Sequence, residues 1–208
     1  MPRKNLIKPI DEATAYLWKT EVIDSLNVLG GIPVAQPMED DLRSRLKAHA
    51  KLKGHFLLEP DMKHSEASYL RSGIVKLFVL DKRGRVQNMH VWVPGEIIVL
   101  FKYFKKRLLN TRYYLSVIAN AEMVSISIDS MDFIYATYPA HAYMLTTEVL
   151  AEKSDKRMKL LEIVGSLDKE ARPAMFDELF PELRNKLNNG ERIALLGIGE
   201  STLGRSNR

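Results

Sequence analysis

The chain contains no cysteine, and this absence removes several classes of site at once. Without a thiol there is no disulfide, no thiolate nucleophile and no cysteine-ligated zinc or iron–sulfur centre. The histidines show no HExxH or similar short spacing, so we expect no metal site at His49, His55, His64, His90 or His141. No catalytic triad or pair of acids can be assembled from the remaining residues, and we expect no enzyme activity.

Long apolar runs are also missing. No stretch approaches the roughly 20 consecutive apolar residues that span a bilayer. The first residues lack the apolar core and the small-residue cleavage site of a signal peptide. We therefore predict a cytoplasmic protein with no membrane partner. A hydrophobic content of 46% over 208 residues is sufficient for a packed core.

The positive charge of the chain is concentrated in its middle. The net charge is +5, and residues 51–112 hold thirteen lysines and arginines against five acids. Residues 171–208 hold six basic and five acidic residues, so the C-terminal segment is nearly neutral. A basic surface favours an anionic partner, but here the basic residues lie away from the C-terminus.

Hydrophobic periodicity divides the chain into helical and extended parts. Apolar residues recur at helical spacing over residues 11–29, and a second helix is predicted over residues 38–50. Between residues 53 and 128 the period falls to two, which indicates about seven or eight short strands joined by turns. Turns are expected at residues 81–84 and 94–96. These features predict an α+β fold with an antiparallel β-roll, or double-stranded jelly roll, flanked by helices.

The helical period returns after Asp129, which is predicted to be an N-cap. A short helix over residues 130–138 precedes a long helix over residues 139–167. One stripe of this long helix has alternating spacings of four and three, as in coiled coils, and predicts a homodimer. The alternative is that the stripe packs on its own β-roll. The stripe consists of Leu150, Ser154, Arg157, Leu161 and Val164.

The last segment, "ERIALLGIGESTLGRSNR", has the layout of a helix-turn-helix. A helix over residues 191–196 precedes a tight turn at residues 197–199 and a second helix that starts at residue 200. Apolar residues would lock the two helices together, and the polar face of the second would meet the major groove. The alternative is a terminal helical hairpin with no ligand. The predicted locking residues are Ile193, Leu196, Ile198 and Leu203.

Two ordered motifs resemble the CRP/FNR superfamily of transcription regulators. "GIGESTLGR" is similar to that family's G-x-[ST]-x-x-[ST]-[VL]-[SG]-R signature, and "ASYLRSGIVKLFVLDKRGRVQNMHVWVPGE" resembles its β-roll. The resemblance implies an N-terminal helical extension (1–37), a cyclic-nucleotide-binding-like β-roll (38–138), a long dimerisation helix (139–168) and a DNA-binding helix-turn-helix (169–208). It also implies duplex DNA, a second copy of the chain and RNA polymerase as partners.

By this resemblance, Arg205 matches the arginine of the recognition helix, which reads guanine O6 and N7. Glu200 and Ser201 match the other base-reading positions, while Thr202 and Ser206 suit phosphates and Arg208 could add a backbone contact. Three features depart from the family pattern: the bulky Ile193, the glycines at positions 199 and 204, which weaken the second helix, and a sequence that ends without the family's β-hairpin wing. The missing wing and the nearly neutral charge of the segment predict weak, salt-sensitive binding that relies on a dimer.

The segment that should hold a cyclic nucleotide departs from the family pattern. That pattern has Gly-Glu-Leu and then Arg-Ser or Arg-Thr, whereas residues 99–101 are Val-Leu-Phe and Tyr113 follows Arg112. We therefore expect no binding of cAMP or cGMP. Nearby basic residues form either a remodelled pocket for another anionic effector or a solvated basic loop: Lys102, Lys105, Lys106, Arg107 and Arg112. A second hypothesis for the whole protein is an interaction module that has lost DNA binding.

Overall fold

A computed structural model describes residues 10–31, 33–199 and 203 of the chain. Helix α1 spans Glu12–Gly30, and the side chain of Asp11 caps it by accepting the Thr14 N–H at 2.9 Å. The helix ends at Gly31, whose φ of +63° is the left-handed conformation typical of a C-cap. Helix α2 follows over Gln36–Arg45. The predicted first helix is thus confirmed with nearly its expected bounds.

The prediction of a helix that continues to residue 50 is wrong. Helix α2 stops at Arg45, and Lys47–Lys51 forms strand β1. This strand pairs in antiparallel fashion with strand β6, Tyr114–Ser127, with His49 opposite Met123. Backbone pairing with an existing strand outweighs the helical preference of the sequence "KAHAK", because propensity is a weak determinant beside tertiary contacts.

The antiparallel roll is confirmed, but with fewer and longer strands than expected. After β1 the strands are β2 (Phe56–Leu58), β3 (Glu66–Leu80), β4 (Val86–Trp92), β5 (Ile97–Ile98) and β6. The order is β1-β6-β3-β4, with β2 paired to β6 and β5 paired to β3. The segments "ASYLRSG" and "IVKLFVL", expected to be separate strands, are two halves of β3. Segments "YYLSVIA" and "EMVSISI" likewise form the single strand β6.

Gly73 lets the long strand β3 continue through an irregularity. Its φ is +92°, and the register against β6 shifts on both sides of it, between Ser72 and Ile74. A Cβ at this position would lie 2.4 Å from the carbonyl oxygen of Asn120 and 2.6 Å from the Cα of Ala121. Both the dihedral angle and the close approach of β6 therefore require glycine.

The two predicted turns and the following helices have their expected places. The turn at residues 81–84 closes with the Asp81 N–H on the Arg85 carbonyl, and Gly95 in the second turn has a φ of +94°. Helix α3 is short, Phe101–Lys105, and helix α4 spans Ile128–Thr137. The N-cap of α4 is Ser127, not Asp129 as predicted, because the Ser127 hydroxyl accepts the Ser130 N–H. Helix α5 spans Pro139–Ser166.

Two apolar cores lie outside the interior of the roll. In the first, α1, α2, α4 and the start of α5 cover the sheet, with Trp18, Ile23 and Ile134 buried. The second surrounds the C-terminal helices, which are α6 (Arg172–Leu179), a 3₁₀ turn (Pro181–Leu183) and α7 (Asn189–Leu196). None of the helices in the described ranges has the length and apolar content that crossing a membrane requires.

We predict that Gly73→Ala destabilises the fold by about 3 kcal/mol or more, because it combines a left-handed dihedral angle with a backbone clash. Gly84→Ala is the control, since Gly84 has a φ of +74° but nothing within 4 Å of the added Cβ. The control should lose only about 1 kcal/mol. Urea unfolding followed by circular dichroism measures both values, and equal losses would contradict the proposed clash.

Candidate functional site

Helix α7 is held at both ends by specific polar contacts. At its start, the Asn188 side chain accepts the Glu191 N–H at 2.9 Å, and the Glu191 carboxylate accepts the Asn188 N–H at 3.1 Å. This capping box satisfies two N–H groups that have no partner within the helix. At its end, Gly197 has a φ of +61°, and Arg172 of α6 donates to the Leu196 carbonyl at 3.0 Å. The sequence therefore stops α7 at the predicted turn.

The predicted locking residues of the C-terminal segment that follows α5, called the tail below, belong to one apolar cluster. Leu196, Ile198 and Leu203 are buried in it, and Ile193 packs against it. Their neighbours are not only other tail residues. The same cluster contains residues of β3, β4 and α5, so the C-terminal helices dock on the roll of their own chain: Ile74, Val91, Val93, Leu160 and Ile163.

Polar contacts reinforce this docking. Asn88 of β4 donates to the Glu191 carbonyl at 3.2 Å, and Lys76 of β3 lies 3.8 Å from the Glu191 carboxylate. Within the tail, the buried Arg192 pairs with Asp177 of α6 at 2.6 Å. The predicted DNA contacts fall outside the described residues, and their roles stay predictions: Glu200, Ser201, Thr202, Arg205, Ser206 and Arg208.

In the segment where the family pattern would hold a cyclic nucleotide, internal partners already accept three of the backbone N–H groups. Val99 and Leu100 are buried, and the Leu100 N–H donates to Nε2 of His64 at 3.1 Å. The Asn110 side chain, which is fully buried, accepts the N–H groups of Arg112 and Tyr113 at 3.3 and 3.0 Å.

Asn110 therefore organises the loop before β6, a role that the sequence analysis missed. Its Nδ2 donates to the carbonyls of Glu59 and Tyr113 at 2.8 and 2.7 Å, and its own N–H donates to Met62. Buried amide groups are stable when each donor and acceptor is paired, as here. An asparagine in a polar loop carries no sequence signal for such distant partners.

The five basic residues of the predicted anion pocket do not converge. Arg107 pairs with Asp129 and Asp132 of α4 at 2.7 and 2.8 Å, and Lys105 lies 3.4 Å from Asp132. Lys102 and Lys106 are exposed and have no ion pair among the described residues, and the Arg112 guanidinium lies 5.2 Å from the Tyr113 ring centre. None of these five residues is part of the lining of the two cavities that are described below. This geometry favours the solvated basic loop.

The predicted dimerisation stripe of α5 divides between solvent and interior. Ser154 and Arg157 are exposed, and Leu161 is 58% exposed, while Leu150 and Val164 are half-buried. A different face of α5 packs on the molecule through Ala142, Leu145, Leu160 and Ile163. The centre of the stripe therefore does not pack on the chain's own roll.

Two lysines interrupt the buried face of α5 and connect it to the roll. Lys156 pairs with Glu96, which follows the turn before β5, at 2.5 Å, and Glu96 also accepts the Val93 N–H at 2.7 Å. Lys153 donates to the Val99 carbonyl at 2.6 Å, and its ammonium lies 5.1 Å from the Trp92 ring centre. Both lysines and Glu96 line a cleft of about 470 Å³ between α1, α5 and the roll.

Burial changes the proton affinities in this cleft. It lowers the pKa of Lys153 to about 8, assisted by the nearby Arg157 and opposed by Glu96. Burial likewise lowers the pKa of His90 on β4 to about 3, so this imidazole is neutral at physiological pH. The pKa of Glu96 is raised by burial, although its contact with Lys156 acts in the opposite direction.

The cleft was not predicted from the sequence, although one signal was present. Lys153 and Lys156 stand at the helical spacing set by Val149 and Leu160, within an otherwise apolar face of α5. Lysines in phase with a buried face need internal partners, because desolvating an unpaired charge is costly. The partners themselves, on the roll, are too distant in sequence to be identified from this pattern.

No protein-family model matches the sequence, and no curated protein matches it. Solved structures do match. A protein from Eubacterium rectale assigned to the CRP/FNR family of transcriptional regulators is 18% identical, with 83% of this chain and 82% of that chain covered and a TM-score of 0.65. FixK2 from Bradyrhizobium japonicum is 16% identical over 78% and 82% of the two chains, with a TM-score of 0.62.

The c-di-GMP-responsive global regulator CLP from Xanthomonas campestris is 14% identical, with 83% and 89% coverage and a TM-score of 0.61. The chain has the CRP/FNR regulator fold. Each comparison covers between 78% and 83% of this chain. The fold predicted from the sequence motifs is thus confirmed.

We predict that Lys153 makes stability rise with pH. Because its pKa is about 8 in the folded protein and 10.5 in the reference state, the unfolded chain binds more protons between these values. The free energy of unfolding should therefore increase across this window, by up to about 3 kcal/mol. Lys153→Met should remove the increase, and Lys159→Met, at an exposed position of the same helix, should retain it. Urea unfolding at several pH values tests this, and identical profiles for both variants would refute it.

Proposed function

We propose that the chain is a DNA-binding transcription regulator of the CRP/FNR type that acts as a homodimer in the cytoplasm. The observation that carries this proposal is the end of α7. There a left-handed glycine at position 197 is followed by the buried Ile198 and Leu203, as a helix-turn-helix requires. The similarity of the whole fold to regulators supports the same conclusion.

In this proposal, Arg205 reads guanine in the major groove, and Glu200 and Ser201 contact neighbouring base edges. Thr202, Ser206 and Arg208 position the helix on phosphates. The tail is close to neutral, so each half of the dimer would bind weakly, and affinity would come from two recognition helices spaced one DNA turn apart.

The exposed stripe on α5 supports dimerisation. Leu161 is 58% exposed, and Met158, one helical turn before it, is 66% exposed, so both are free to contact a second helix. Residues at this spacing suit the pairing of two parallel long helices around a twofold axis.

A second candidate function is a protein interaction module that keeps the fold without binding DNA. It is favoured by the docking of α7 on β4, because the Asn88 and Lys76 contacts to Glu191 fix the tail against the body of the chain. Neither function requires cAMP or cGMP. The pairing of the Leu100, Arg112 and Tyr113 N–H groups with His64 and Asn110 supports the expectation that neither nucleotide binds.

Arg205→Ala should weaken binding to a selected duplex by about tenfold to a hundredfold, the value of one bidentate guanine contact. Arg83→Ala is the matched control, because Arg83 is an exposed arginine on the turn between β3 and β4. Sequences selected from random duplexes provide the probe, and gel shifts at low and moderate salt measure affinity. Loss of binding in both variants, or no binding by the parent protein at low salt, would count against specific reading and favour the interaction module.

Leu161→Asp should convert the dimer to a monomer, since it replaces an exposed apolar residue of the stripe with a charge that the interface would have to bury. Lys159→Asp, which introduces the same side chain on the opposite side of α5, should remain dimeric. Sedimentation equilibrium at micromolar concentrations reports the masses. A monomeric parent protein, or a Leu161→Asp variant that stays dimeric, would exclude this interface.

A further inference from the structure

Two cavities lie next to each other along helix α5. The first is the polar cleft of about 470 Å³ that contains Lys153, Lys156 and Glu96. The second is an almost wholly apolar, partly open cavity of about 110 Å³ that lies between α1, α2, α3, α4, α5 and the sheet. Four residues line both cavities, so the two are separated only by a shared wall: Leu26, Tyr69, Ile97 and Val149.

The polar cleft has donors that the protein itself does not satisfy. Lys153 has three N–H groups, and among the described residues only the Val99 carbonyl accepts one of them. Glu96 already pairs with Lys156 and with the Val93 N–H, so Lys153 has no carboxylate of its own in the described part of the chain. A half-buried ammonium that has two further N–H groups and no ion pair among the described residues favours an anionic ligand.

His90 and Tyr69 add two further polar groups to the cleft. His90 is 5% exposed and Tyr69 is 8% exposed, yet neither side chain forms a hydrogen bond with a described residue. His90 is positioned by its edge-on contact with Trp92, at 4.5 Å between ring centres. Neither residue contributes a fully buried unpaired atom among the described residues, so the polar atoms of both are accessible from the cleft to water or to a ligand.

The apolar cavity excludes a polar occupant. Its only hydroxyl pair is Tyr135 and Thr146, 2.6 Å apart, and the Thr146 hydroxyl donates to the Ala142 carbonyl. Tyr135 must therefore donate to Thr146, so neither of these two hydroxyls offers a hydrogen to a ligand. The hydroxyl of Tyr69 lies at the wall that the cavity shares with the cleft. The remaining lining includes Met38, Val124 and Leu145. Its volume of 110 Å³ is somewhat below the roughly 150 Å³ of an apolar cavity that holds benzene.

We propose that these cavities form one site for a small monocarboxylate with an apolar tail. The carboxylate would accept hydrogen bonds from Lys153 and lie near His90. The apolar part of the ligand, a short alkyl chain, would pass Tyr69 into the apolar cavity. Lys153 is suited to this boundary position, because its present acceptor, Val99, lines the apolar cavity. This inference deepens the proposed function, since such a ligand is the effector that the regulator would sense.

Ligand binding here would act on the arrangement of the helices. Lys156 of the cleft also lies 5.6 Å from the ring centre of Phe180, in the apolar cluster of the tail. An anion beside Lys153 therefore changes the charge balance at the point where α5, the roll and the tail meet. The ligand can shift the equilibrium between two positions of the C-terminal helices only to the extent that it binds one of them more tightly than the other.

The test is isothermal titration of the purified full chain with sodium hexanoate, without DNA. We expect one site per chain, with acetate and hexanol each binding at least about tenfold more weakly, because they lack the tail and the charge respectively. Lys153→Met should reduce hexanoate affinity by at least about tenfold. The control Lys159→Met, with the same charge loss at the exposed rim, should change it less than about twofold.

A second variant tests the part of the site that would hold the alkyl chain of the ligand. Val149→Trp places a large side chain between the two cavities. It should abolish hexanoate binding and leave the affinity for acetate unchanged. The inference is overturned if hexanoate gives no saturable binding at millimolar concentration, if hexanol binds equally well, or if Lys159→Met matches Lys153→Met. The titration contains no DNA, so it tests the ligand site separately from DNA binding. A chain that binds hexanoate but gives no gel shift would refute the proposed DNA-binding function and support the proposed ligand site. A chain that binds DNA but not hexanoate would support the DNA-binding function and refute the ligand site.

Discussion

The antiparallel pairing of β3 with β6 is the constraint on which the other parts of the molecule depend. The ladder runs from Glu66 opposite Ser127 to Phe78 opposite Tyr114, and β6 also receives β1 and β2 on its remaining edge. This pairing sets which residues face the interior of the roll and which face the surrounding helices. It also places the turn at Gly95 beside α5, where the cleft forms.

The long helix couples the roll to the C-terminal helices through a small number of contacts. Lys156 reaches Glu96 on the roll and approaches Phe180 of the tail, while Ile163 is buried in the cluster that holds Leu196. A change in how α5 lies on the roll therefore alters the environment of the tail directly. The roll and the C-terminal helices therefore share one helix, which provides the physical connection that coupling between two sites requires.

Local patterns predicted local structure well, and long-range partners account for the failures. Alternating residues and turn glycines located the strands, and Asp11 and Gly197 set helix ends where expected. Strand β1 was missed because its pairing with β6 is not encoded in "KAHAK" itself. Asn110 and Lys153 were missed for the same reason, since their partners are distant in sequence. Patterns within a segment carry no information about such partners.

The length of β3 has a consequence for synthesis of the chain on the ribosome. The second half of β3 can pair with β4 as soon as the hairpin emerges, but within residues 66–74 only Ser68 and Tyr69 pair early, with β5. The partner of the rest is β6, which is made only after residues 81–113. Until then that half of the strand is an open edge, able to join with any other extended segment. Nascent chains with such edges are prone to aggregate, so efficient production of this protein should depend on a chaperone that shields β3 during translation.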